Sequence, residues 1–122
     1  MVKIVETDDR VPLSTQLEQD VGAVVVMNKF NVGSDEIKEF LKVYEETTKY
    51  FKQQPGFISA QLHRGIGGST TFVNYVIWES ADHFKHAFSN QDFKSNMANV
   101  LPNTVMSPHI YKKVAIPGIC VD

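Results

Sequence analysis

PGFISAQLHRGIGGSTTFVNYVIWES, residues Pro55–Ser80, decides the fold. Two runs of strand-forming residues, FISAQLHR (Phe57–Arg64) and TTFVNYVIWE (Thr70–Glu79), flank the link GIGGS (Gly65–Ser69). A glycine-rich link of this length between two such runs predicts a β-hairpin. The same glycines do not read as a phosphate loop. A phosphate is gripped where glycines open a helix, and these open a strand. Pro55-Gly56 stops whatever precedes the hairpin, and Ser80 suits the cap of a helix that follows it.

Working outward, AVVVMNKFNV (Ala23–Val32) is β-branched and apolar enough for a strand that Gly33 ends. Ser34 offers an N-cap, and Asp35 and Glu36 suit the positive end of a helix. In DEIKEFLKVYEETTKYFKQQ (Asp35–Gln54), Ile37, Phe40, Leu41, Tyr44, Thr48 and Phe51 fall on one stripe, opposite Glu and Lys. Beyond Ser80, ADHFKHAF (Ala81–Phe88) reads as a short helix. Ser89 or Asn90 caps a further one over QDFKSNMANVL (Gln91–Leu101). Pro102 and Pro108 bracket a loop, HIYKKVAI (His109–Ile116) reads as the last strand, and PGICVD ends the chain.

The order β-α-β-β-α-β is that of the ferredoxin-like split unit. The expected fold class is α+β: a four-stranded antiparallel sheet with helices on one face, over residues 22–122. Residues 1–21, with two basic and five acidic side chains, read as an N-terminal arm over the body or a partner subunit, or as a disordered tail. The bare sheet face would be rich in Val, Ile and Tyr, and an apolar patch that large marks a partner surface. A two-fold homodimer with sheets packed together is the simplest closed solution. The arm and the tail VAIPGICVD are expected to wrap the other subunit.

Composition bounds the rest. With 122 residues, 43% hydrophobic and 21% charged, the chain has the size and make-up of one globular domain. A net charge of −2 shows no basic excess for nucleic acid. Glu6, Asp8, Asp9 and Arg10 break any apolar leader, and the run Val21–Met27 is too short to span a bilayer. Cys120, the single cysteine, has no partner for an internal disulfide. These features predict a cytoplasmic protein with neither membrane nor nucleic-acid partner.

Side chains alternate along a strand, so Phe72, Asn74, Val76 and Trp78 share one face, as do Val24, Val26, Asn28 and Phe30. Should the two faces coincide, two amides and an indole N–H would stand in an aromatic-apolar lining, the profile of a small-molecule pocket. A purely structural reading stands beside it: a buried Asn often satisfies a neighbouring backbone group, and a lone Trp is usually core. His83 and His86, at i and i+3, have metal-compatible spacing, but no third ligand is evident and no metal is expected. His63 and Arg64 end their strand either at a pocket mouth or in solvent. No nucleophile elbow, paired carboxylates, dinucleotide fingerprint or P-loop is present. An enzyme built from this chain needs a substrate that supplies its own reactivity.

PGFISAQLHR, FVNYVIWES and SPHIYKKVA, with VVVMNKFNV before them, resemble the antibiotic biosynthesis monooxygenase domain, a branch of the dimeric α+β barrel superfamily. One group in it, the cofactor-free anthrone oxygenases, is similar in its site: an asparagine on the first strand, and an asparagine and a tryptophan four apart on the third. Asn28, Asn74 and Trp78 match one by one. A tyrosine and an arginine used by some of those enzymes fall near Phe84 and Ala98, leaving those roles unfilled. A haem-degrading branch shares Asn28, but its tryptophan and histidine positions hold Ala87 and Met97. A third branch handles a phosphorylated sugar, for which His63 and Arg64 would serve. The resemblance thus implies a cofactor-independent monooxygenase acting with O₂ on an aromatic polycyclic or quinol-type molecule. Asn28, Asn74 and Trp78 would be catalytic, and Phe30, Phe72, Val76, His63 and Phe84 would bind substrate. The alternatives are a non-catalytic binding or stress-response module of the same fold and a haem-related protein.

Overall fold

The computed structural model describes residues 3–89 and 101–120. Its elements run β1 (Lys3–Ile4), α1 (Leu13–Gln16), β2 (Val24–Asn31), α2 (Ile37–Lys52), β3 (Phe57–Arg64), β4 (Thr71–Trp78), α3 (Ala81–Phe88) and β5 (Val105–Tyr111). The α+β, ferredoxin-like order is as expected. The helix expected over Gln91–Leu101 lies almost wholly outside the described residues.

The sheet has five strands rather than four, in the order β1-β5-β2-β4-β3. The additional strand comes from the arm: Lys3 and Ile4 pair in parallel with Val105 and Met106. Two residues are too few to show a period, which is why this strand is invisible in the sequence. The arm covers the outer edge of β5, whose peptide groups would otherwise be unpaired. Val5 N donates to Met106 O at 2.9 Å. Further along, the Gln16 carboxamide acts as a strand would: its Nε2 donates to Ile110 O and its Oε1 accepts from Ile110 N, each at 2.9 Å.

Three boundaries differ from the sequence reading, each for a local reason. Glu36, not Ser34, precedes the first turn of α2. Its buried carboxylate reaches the loop before β5, accepting from Asn103 N at 3.0 Å and Thr104 Oγ1 at 2.8 Å. The last strand begins before Pro108 instead of after it. Ile110, two residues on, turns its N–H outward to Gln16, so the N–H that proline lacks is not one owed to β2. On α2, Leu41 is exposed, and Val43 and Thr47 take the inward side with Phe40, Tyr44 and Phe51.

The expected cap of α3 is present: Ser80 Oγ accepts from His83 N at 3.1 Å. The core lies between the sheet and the helices. One cluster joins Leu13, Val24, Val26, Val76, Trp78, Phe84 and Ala87, and a second joins Val32, Phe40, Phe72 and Leu101. No described helix is long and apolar enough to cross a membrane.

Candidate active site

Antiparallel pairing sets Asn28 directly opposite Asn74, with Val26 opposite Val76 and Phe30 opposite Phe72. Opposed residues of an antiparallel pair project on the same face, so the two carboxamides are cross-strand neighbours. They line one cavity with about 60 Å³ of water-accessible space. A single water needs on the order of 10–15 Å³, so the space holds several. Among the described residues, β2, β4 and β5 give its floor through Val26, Asn28, Phe30, Asn74, Val76, Trp78 and Met106. The helices give its roof through Phe40, Val43, Tyr44, Thr47, Thr48, Phe51, Phe84 and Phe88.

Five residues expected at the site therefore meet at the cavity with Asn74: Asn28, Trp78, Phe30, Val76 and Phe84. Phe72 stands beside it, packed on Phe40 with ring centroids 4.8 Å apart, and is not in the described lining. His63 pairs opposite Val73, on the other face of the sheet from Asn74, and is exposed. Arg64 lies over the Phe72 ring at 5.2 Å.

The polar groups have unequal surroundings. Tyr44 Oη donates to Asn74 Oδ1 at 3.0 Å. Asn28 Nδ2 rests against Met106 Sδ at 3.7 Å, a weak acceptor, and Asn28 Oδ1 is buried with no partner among the described residues. An orphaned buried acceptor costs free energy unless a donor enters the cavity. Trp78 is 1% exposed and is met edge-on by Phe51 and Phe57, with centroids at 5.8 and 5.5 Å. Burial pushes the Tyr44 phenol above its ordinary pKa, while a side-chain hydrogen bond from Thr48 pulls the other way.

Sequence reasoning put Tyr44 on the buried stripe of α2 but missed its bond to Asn74. The available signal was a hydroxyl-bearing ring on that stripe with Thr48 one turn later.

No carboxylate, lysine, arginine, histidine or cysteine belongs to the described lining. Such a site orients and hydrogen-bonds a small molecule, and its own groups are poor general bases near neutral pH. His83 and His86 are engaged elsewhere: His83 Nδ1 is 2.7 Å from Ser80 Oγ, and His86 Nδ1 is 2.8 Å from Asp82 O. Among the described residues no cluster of three or more His, Cys, Asp or Glu is placed to hold a metal.

The sequence model of the family described as antibiotic biosynthesis monooxygenase matches residues 23–99. Deoxynogalonate monooxygenase from Streptomyces nogalater is 31% identical over 74 residues, 61% of this chain and 62% of that protein. The chain therefore matches less than two thirds of that relative's length. Among solved structures, SnoaB, a cofactor-independent oxygenase from Streptomyces nogalater, has a TM-score of 0.66 at 20% identity, covering 80% of this chain and 99% of its own. A structure from Shewanella loihica PV-4 has a TM-score of 0.65 at 25% identity, with the same coverage.

Proposed function

Because the chain belongs to the antibiotic biosynthesis monooxygenase family, we propose that it is a cofactor-independent monooxygenase using O₂ on an aromatic polycyclic or quinol-type small molecule. The observation that carries this reading is the Asn28–Asn74 pair, set side by side over an apolar cavity that Trp78 also lines.

A phenolic polycycle with an activated methylene, such as an anthrone, is acidic when its oxygen is stabilised as an oxyanion. Asn74 Nδ2 donates to that oxygen. Asn28 accepts with its free Oδ1 from a phenolic hydroxyl beside that oxygen and, turned about its last torsion, offers N–H to the anion. Donors fixed where charge develops, in a site lined mainly by apolar groups, stabilise that charge strongly. Loss of the methylene proton to water gives a carbanion, which passes an electron to O₂ and recombines to a peroxide at that carbon, steadied by the Trp78 indole N–H and protonated in turn from water. Cleavage of the O–O bond with loss of water leaves a carbonyl. One oxygen atom enters the product, the other leaves as water with the two methylene hydrogens, and no outside reductant is required.

The reading includes a homodimer packed through the sheet face that carries Val25, Met27, Val73, Tyr75 and Ile77, and it places the protein in the cytoplasm. The haem alternative finds no support in the described cavity lining, which contains no histidine.

The test is O₂ uptake by purified protein with dithranol, an anthrone, and no added cofactor. Uptake faster than buffer is expected, falling about 10²-fold in Asn74→Ala by the scale of lost oxyanion donors. Uptake at the buffer rate, or an unaffected Asn74→Ala, overturns the oxygenase reading and leaves that of a binding module.

A further inference from the structure

We propose that Tyr44 is a positioning residue that locks the Asn74 carboxamide with its oxygen toward α2 and its N–H₂ toward the cavity. The bond itself is on α2 and β4: Tyr44 Oη donates to Asn74 Oδ1 at 3.0 Å, and both residues line the cavity. An asparagine amide has two ends of nearly equal size and opposite hydrogen-bonding sense, so packing alone does not choose between them. A donor on one side does choose. A neutral phenol carries one hydrogen; with Asn74 turned over, that hydrogen would face an N–H₂ group and have to turn to Thr48, ending the hydrogen bond that Thr48 donates to the phenol oxygen. The observed orientation keeps both the Tyr44 and the Thr48 hydroxyls as donors, and one net hydrogen bond contributes about 1 kcal/mol. Burial also favours the protonated phenol, so Tyr44 remains a donor through neutral pH.

Asn28 shows what an unlocked amide looks like. Its Nδ2 has only the Met106 sulfur and its Oδ1 has no described partner. The two opposed amides are thus inequivalent: Asn74 is a committed donor, and Asn28 is free to accept or donate. A ligand carbonyl that becomes an anion takes the Asn74 N–H₂, and a phenolic hydroxyl beside it takes the free Asn28 Oδ1. The kinetic consequence rests on the oxygenase reading; the lock itself does not.

Tyr44→Phe removes the hydroxyl and keeps the ring. With dithranol, kcat is expected to fall about tenfold, the worth of one hydrogen bond, with KM changed less than about twofold. The double variant Tyr44→Phe/Asn74→Ala is expected to be no slower than Asn74→Ala alone, because the hydroxyl acts only through that amide. In ¹⁵N–¹H spectra of the ligand-free protein, the side-chain N–H₂ pair of Asn74, assigned by its loss in Asn74→Ala, is expected to shift in Tyr44→Phe. An unchanged kcat, fully additive effects in the double variant, or an unmoved N–H₂ pair overturns the lock. Should the wild type show no uptake above buffer, the proposed function falls and the N–H₂ pair alone decides: moved supports the lock, unmoved overturns it.

Discussion

Asn28 sets the terms at the scale of single residues. Alternation grouped Asn28 with Val24, Val26 and Phe30, and Asn74 with Phe72, Val76 and Trp78, and that much was readable from the sequence; which side of the sheet those faces take was not. Their direct opposition was not, because register is fixed by pairing partners far apart in the chain. Nor was the Tyr44 bond, which depends on where α2 crosses β4. A buried acceptor without a partner is a standing cost that a folded chain keeps for use. Asn28→Leu, with the same number of side-chain heavy atoms and the same branching, should raise stability by about 1 kcal/mol, seen as a higher urea midpoint, while lowering oxygen uptake. A lower midpoint would show that the orphan is satisfied in solution. Tyr44 supplies a second check. Its pKa is raised above 10.0 by burial, so the neutral phenol's contribution to stability is complete below the unfolded value. It is lost as pH climbs through the folded one. In an alkaline absorbance titration, Tyr44→Phe should remove a late component.

Elements were readable where a segment's own residues decide its form. The hairpin strands, the helix α2 and the Ser80 cap belong here. Boundaries failed where a distant residue intervened: Glu36 serves the Asn103–Thr104 loop, and Pro108 is tolerated because Gln16 faces that edge two residues on. Replacing Gln16 by Ala removes both hydrogen bonds to Ile110. The expected loss is about 1–2 kcal/mol, with faster hydrogen exchange at the Ile110 amide. Unchanged exchange would mean that the arm does not hold β5. At the turn between α2 and β3, Gly56 has φ +87° and passes so close to His83 that an added Cβ would lie 2.2 Å from its ring. Gly56→Ala is therefore expected to cost about 2 kcal/mol or more by thermal melting, through both backbone strain and the displaced His83 cap.

At the scale of the whole molecule, the α+β class and the β-α-β-β-α-β succession followed from the sequence, while the fifth strand did not. The homodimer proposed for the outer sheet face is testable apart from the chemistry. Tyr75→Glu places a charge on the face opposite Asn74 and should shift sedimentation from dimer to monomer without touching the cavity lining. A wild type that already sediments as a monomer at micromolar concentration would remove that proposal.

The arm's grip on β5 also limits how copies can meet side by side. Among the described residues, one flank of the sheet ends in a strand of two residues, too short to template another chain, and the other ends in β3, where Ile58 sits at an irregularity in the pairing. Endless lateral stacking demands two usable flanks per copy. With one flank closed, edge pairing between two single copies stops at a pair, whereas a face-to-face dimer carries two β3 flanks, one on each copy.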